Sequence, residues 1–236
     1  MTSIAISSGH AKYCRGASGY LDEVDCARAV VEEVAKHYRA AGHDVSVFHD
    51  NTSTTQNANL NAIVNWHNAR KRDYDISCHF NAYKTTQSPM GCEVLYYSQQ
   101  ALADKTSKAI AAAGGFINRG PKKRTDLAFL NRTQMPAILL EVCFVDSSRD
   151  AELYRSNFVA ICRAIAEVTG GVPIPTPQPP EPEPEPPEPE PGPIPPAEQM
   201  VSISITAPPG VIVNVTQSVT GVPGLDVLVP AEVGAG

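Results

Sequence analysis

The sequence predicts an α/β domain with a twisted, largely parallel sheet flanked by helices, then an extended spacer and a small β-rich tail. Three observations carry this. Strand-like and helix-like apolar patterns alternate over residues 1–172, the mark of parallel strands joined by crossover helices. Residues 137–143 (AILLEVC) are almost wholly apolar, as expected of a strand covered on both faces. Fourteen of the 21 prolines fall within residues 173–199, where neither a helix nor a central strand can form.

The elements follow in order. Residues 3–7 (SIAIS) are a short β-branched strand. Residues 22–41 are helical: Val24, Ala27, Val30, Val31, Val34 and Tyr38 recur at three and four residues, and Gly42 stands where a left-handed residue ends a helix. A strand at 45–49 leads to a helix at 59–70, with Leu60, Ile63, Val64 and Trp66 turned inward. Strands at 75–80 and 93–97 come next, then an alanine-rich helix at 99–113 that stops at Gly114 and Gly115. Arg119, Lys122, Lys123 and Arg124 then read as a basic loop. After the apolar strand, residues 148–168 close the domain as an amphipathic helix with Leu153, Phe158, Ile161 and Ile165 on its buried stripe.

Charge divides the chain in the same way. The whole is −6, but residues 1–172 hold all 19 lysines and arginines and 17 of the 25 acidic residues, a net +2. The acidity belongs to the Pro/Glu-rich stretch at 173–200, which reads as a polyproline-II spacer stiffened by glutamate repulsion, and to the segment after it. A chain of this balance lacks the basic footprint of a nucleic-acid partner. No run reaches the roughly 18 apolar residues of a membrane helix, so no membrane insertion is expected. The start, MTSIAISSGH, has neither a basic lead nor a long apolar core and does not read as a signal peptide. The six scattered cysteines form no C-x-x-C pair and are expected to be reduced, mostly buried thiols.

Chemistry in open α/β sheets collects beyond the carboxyl ends of the strands. His10 follows the first strand, Glu23 opens the first helix, His79 ends the strand DISCHF, and Glu141 stands inside ILLEVCF. An ionised carboxylate among Ile, Leu and Val is costly unless paired or set near a metal, so Glu141 is either a buried partner of an arginine or part of a site. Either histidine alone would serve as well as a cap or core residue. Two histidines and a carboxylate, with one position left for water, make the ligand set of a catalytic zinc. Sequence spacing alone does not establish that they meet.

The stretches SSGH, GASGYLDEVDCARAV, SCHFNA, GCEVLYYS and NRGPKKRTDLAFLNRTQMPAILLEVCFVDSSRD, with the closing helix, resemble the zinc-dependent N-acetylmuramoyl-L-alanine amidases of the amidase-3 family, phage endolysins in particular. The likeness spans residues 3–170. It implies that His10, Glu23 and His79 ligate Zn²⁺ and that Glu141 is the catalytic carboxylate. It implies hydrolysis of the amide between N-acetylmuramic acid and L-alanine in bacterial peptidoglycan. It further implies an enzyme made in the host cytoplasm that reaches the wall after holin-dependent release. The first motif departs from the glycine run of many relatives, which places Cys14 near the metal without making it an expected ligand. Asp22 and Asp25 are expected to be helix-start or surface charges. Asn81, Arg119 and Arg124 are the candidate substrate-binding residues.

The predicted layout is a catalytic domain at 1–172, a linker at 173–200 and a β-rich segment at 201–236. That last segment has no Lys, Arg, Cys or aromatic residue, which disfavours sugar stacking and leaves self-association or targeting as its role. Other readings of the whole are a host wall-remodelling amidase, a zinc peptidase of the stem peptide, and a non-catalytic wall-binding protein.

Overall fold

The computed structural model describes residues 1–171. The elements run β1 (Ser3–Ala11), α1 (Glu23–Ala40), β2 (Asp44–Asp50), α2 (Gln56–Asn68), β3 (Tyr74–Asn81), β4 (Cys92–Tyr96), α3 (Gln100–Gly114), β5 (Asn118–Lys123), α4 (Ala128–Arg132), β6 (Ala137–Phe144) and α5 (Ser148–Gly170). The linker expected at 173–200 and the tail at 201–236, with its strands and self-association, lie outside the described residues.

The six strands form one sheet in the order β2-β1-β3-β6-β4-β5. The β1–β2, β1–β3, β3–β6 and β4–β5 pairs are parallel, and β4 runs antiparallel to β6. The reversal has a simple cause. The link over residues 82–91 is shorter than the dozen or so residues a parallel crossover needs. The basic loop expected around Arg119–Arg124 is corrected: Arg119, Lys122 and Lys123 lie on β5, and only Arg124 is past its end. Gly120, Pro121 and the charges that disguise this strand suit a sheet edge, where they discourage further pairing.

α1, α3 and α5 cover one face of the sheet, over Ile4, Ile6, Ile76, Cys78, Ile138, Leu140 and Val142. α2 and α4 cover part of the other, where Ile63, Phe129 and Leu130 meet Leu95, Ala137 and Leu139. Strand residues alternate between faces. Ala137, Leu139 and Glu141 therefore share the α2 side, and their β3 partners Asp75, Ser77 and His79 share it with them. This face is apolar under α2 and α4 and becomes polar where they stop covering it.

A buried polar clamp ties β1, β3 and α2 together on that face. Asp75 accepts from Arg72 Nε at 2.9 Å and Nη2 at 2.8 Å, and from His67 Nδ1 at 2.7 Å. Because the Asp75 carboxylate can only accept, the His67 proton sits on Nδ1, and Nε2 accepts from the Ser7 hydroxyl at 2.9 Å. Ser7, His67 and Asp75 have the order of a nucleophilic triad, yet all three are 0% exposed and their side chains are spent on one another and on Arg72. The clamp is structural. All six cysteines are unpaired, and Cys78, Cys92, Cys143 and Cys162 are buried.

Candidate metal centre and catalytic carboxylate

Glu23 is positioned from both ends. Asp22 caps α1 by accepting from Asp25 N at 3.1 Å, and Arg15 reaches both Asp22 and Asp25, so these acids start the helix as expected. The Glu23 side chain then turns inward. Oε2 accepts from Ala17 N at 2.8 Å and Oε1 from Phe80 N at 3.2 Å, which ties the β1–α1 loop to β3. The residue is 3% exposed.

His10 and His79 meet on this carboxylate. His10 Nε2 lies 3.2 Å and His79 Nδ1 3.0 Å from Glu23 Oε1, and all three ligand atoms fall within 4.8 Å of one another. His10 reaches this point through a backbone φ of +56°, in the left-handed region that non-glycine residues seldom adopt, where the β1 register shifts between Ser7 and Ala11. Two glycines make room. A Cβ on Gly9 would run into the His79 ring, and one on Gly16 would run into Glu23 Oε2 and the His10 ring. Neither glycine has a positive φ, so close approach alone requires them.

Glu141 stands beside this cluster as the register partner of His79 on one side and of Glu93 on the other. Its Oε2 is buried and has no hydrogen-bond partner among the described residues. Burial, followed by the neighbouring Glu23 and Glu93 carboxylates, pushes the Glu141 carboxyl well above its usual range, with Arg124 acting weakly against them. The arginine-paired alternative for Glu141 is therefore not what forms. Glu23 goes the other way: burial opposes its ionisation, but hydrogen bonds from both histidines outweigh it and hold the carboxyl well below the usual range.

Glu93 is the residue that sequence reasoning missed. It is 9% exposed and accepts from Asn81 Nδ2 at 3.0 Å and Arg119 Nε at 2.8 Å. A carboxylate in the run CEVLY carries the same signal as Glu141 in ILLEVCF, so it was open to the same argument. Of the three candidate substrate residues, Asn81 and Arg119 converge on Glu93 beside Glu141, and they line a shallow depression with Tyr83 and Phe144. Arg124 is tied instead to Asp126 by two hydrogen bonds, of 2.8 and 2.7 Å. Cys14 is half-buried and is not a member of the His10–Glu23–His79 group.

The donors suit a small divalent cation. Two imidazole nitrogens and one carboxylate oxygen converge at a strand-end position whose backbone is glycine wherever a side chain would intrude. Zinc takes such N/O sets and leaves a further position open in catalytic sites.

Residues 4–168 match the family described as N-acetylmuramoyl-L-alanine amidase, amidase-3. The chain belongs to this family. Over 161 residues it is 31% identical to an uncharacterized protein of Clostridium perfringens strain 13, covering 65% of this chain and 47% of that protein. The chain thus spans about half the length of the C. perfringens relatives it matches. Among solved structures it is similar to the catalytic domain of the CD27L endolysin targeting Clostridia difficile, with a TM-score of 0.67 and 27% identity over 74% of this chain and 99% of that one. The amidase AmiC2 of Nostoc punctiforme shares the fold, with a TM-score of 0.63 and 24% identity over 72% of this chain and 96% of that one.

Proposed function

We propose that the protein is a zinc-dependent peptidoglycan hydrolase of the endolysin type, which cleaves the amide joining N-acetylmuramic acid to L-alanine. The observation that carries the reading is the meeting of His10 Nε2, Glu23 Oε1 and His79 Nδ1, in a chain of an amidase family. His10, Glu23 and His79 would hold the ion. When bound, zinc supplies Lewis acidity toward the scissile carbonyl and lowers the pKa of water toward about 7.

The chain's own residues do the rest. Glu141 takes the proton of the attacking water and delivers it to the leaving alanine nitrogen. A carboxylate with an unpartnered, buried oxygen has no competing hydrogen bond to give up before it accepts that proton. The backbone N–H groups of Ala17 and Phe80 hold Glu23 so that its position does not depend on the ion. Asn81 and Arg119 border the site through Glu93, and Arg124 borders it through Asp126. All three are proposed to line the path of the substrate.

In this reading, residues 1–172 are the catalytic domain, 173–200 a charged tether, and 201–236 an oligomerisation or targeting segment. No described helix is long and apolar enough to cross a membrane, and action at the wall after release is part of the proposal. The test is mass spectrometry of peptidoglycan digested by the zinc-loaded protein, with and without chelator. Release of stems beginning with free L-alanine, lost on chelation and regained with zinc, is the expected result. Cuts within the stem would make the protein a peptidase, and intact walls would leave only a binding role.

A further inference from the structure

We infer that the cleft beside His10 and His79 is a subsite for an uncharged substrate group that presents a methyl next to an amide, and that Ser77 hydrogen-bonds it there. The inference rests on the amidase reading and says how that site grips its substrate. The cleft holds about 260 Å³, near the lower end of small-molecule sites. Its walls are largely apolar, with Leu60, Ile63 and Val64 from α2, Leu127 and Phe129 from the segment entering and forming α4, and Leu139 from β6, while Gln56 and Asn59 of α2 add two amides.

The Asn59 amide donates to Asp50 at 3.0 Å, whereas Ser77, on the sheet side of the cleft, is uncommitted. It is 1% exposed, and its Oγ has no hydrogen-bond partner among the described residues. Its register neighbour Ser7, equally buried, gives its hydroxyl to His67. Buried polar groups are almost always satisfied, so a hydroxyl left alone in the wall of an open cleft points to a partner that arrives from outside.

Charge and distance narrow what arrives. Among the described residues no Lys or Arg lines the cleft, and the one carboxylate at its rim, Asp126, is held by Arg124. With Asp126 neutralised by Arg124 and no free cation on the lining, nothing in the cleft favours a charged group over an uncharged one. Ser77 lies two residues before His79 on the same face of β3, a separation of about 6.6 Å along a strand. The occupant is therefore a group immediately flanking the scissile amide. Three such groups carry a methyl beside an amide: the lactyl arm that ends in the scissile carbonyl, the N-acetyl of the muramoyl unit, and the alanyl residue itself.

The test compares the zinc-loaded full chain with Ser77→Ala and Leu60→Trp on a soluble N-acetylmuramoyl peptide. Ser77→Ala should raise KM about fivefold with kcat and zinc content retained, the loss of one hydrogen bond. Its melting temperature should hold or rise, because an unpartnered buried hydroxyl is removed. Leu60→Trp, which fills the cleft from a half-buried position, should raise KM at least as much. Unchanged KM in both variants overturns the subsite while leaving the amidase reading intact. A lower melting temperature with unchanged KM makes Ser77 merely structural and also overturns it. No cleavage by the zinc-loaded parent overturns both readings. Substrates with a glycolyl arm for the lactyl, with glycine for alanine, or without the N-acetyl group then separate the three occupants. The change whose penalty disappears in Ser77→Ala names the group bound, and a penalty unaltered for all three overturns the inference.

Discussion

His79 of β3 and Glu141 of β6 are direct partners in the register of a parallel strand pair. A proposed metal ligand and the proposed base are thus set about 4.8 Å apart at the backbone by the sheet, without a loop between them. Catalysis by positioned groups gains from such rigidity, because the geometry is present before substrate binds. Glu93 extends the row by one strand, and its own hydrogen bonds to Asn81 and Arg119 keep its carboxylate turned toward them.

Glu141→Gln should keep the zinc content and lower turnover by about 10²- to 10⁴-fold, the usual contribution of a general acid–base group. None of the described hydrogen bonds is made to its buried Oε2, so the substitution leaves no protein donor orphaned and the melting temperature should not fall. Metal analysis beside a turnover assay checks both halves. Undiminished cleavage would remove Glu141 from the mechanism.

Gly9→Ala and Gly16→Ala should each weaken zinc binding by tenfold or more. The added Cβ meets the His79 ring in the first case, and Glu23 with the His10 ring in the second. The neighbours are the ligands themselves, so relief of the clash displaces them. Competition with a chromogenic chelator measures the change, with circular dichroism to show that the fold survives. Parental affinity in both variants would mean that the ligands sit elsewhere.

Much of this was open to reading in the sequence, and the gaps have physical causes. α1 is legible because six apolar residues repeat through a long segment. Glu141 is legible because a charge in an apolar strand must be explained. β5 is not, since an edge strand defends itself with Lys, Arg, Gly and Pro, the residues that also make loops. α4, with five residues, is too short to show a period. His67 on α2 looks like any core histidine until Asp75 and Ser7 arrive from two strands. The residue types and strand-end positions of His10, Glu23, His79 and Glu141 nominate them, but only the sheet register and the Glu23 hydrogen bonds bring them together.

Asp150→Ala should be among the most destabilising single changes in the domain, at about 3–5 kcal/mol. Its carboxylate is 0% exposed and accepts from the backbone N–H of Met90 at 3.0 Å, Gly91 at 2.9 Å and Phe144 at 3.2 Å. The change would orphan these donors at a cost of about 1–3 kcal/mol each, less whatever water recovers. Asp150→Asn keeps one accepting oxygen and should cost less than half as much. Urea unfolding of the two variants gives the comparison, and equal small losses would show that the link over residues 82–91 is held by other contacts.

The Ser7–His67–Asp75 clamp should make stability fall on acidification. Burial, opposed by the Asp75 carboxylate, lowers the affinity of His67 for a second proton, so the unfolded chain protonates at this residue first, near pH 6.5. Burial also opposes the ionisation of Asp75, but hydrogen bonds from His67 and Arg72 together outweigh it and hold the carboxyl below its usual 3.8. In both cases the unfolded state binds more protons, and stability declines as pH falls. The His67 contribution is complete above pH 6.5 and drains away below it; the Asp75 contribution follows only as pH drops below about 3.8. His67→Gln removes the first phase and, by breaking a fully buried network, should cost about 1–3 kcal/mol at pH 7.5. Urea unfolding of parent and variant at pH 7.5 and 5.5, under the same metal conditions, lets His10 and His79 cancel. The parent should lose more stability over that interval than His67→Gln, and equal losses would place the acid sensitivity outside the clamp.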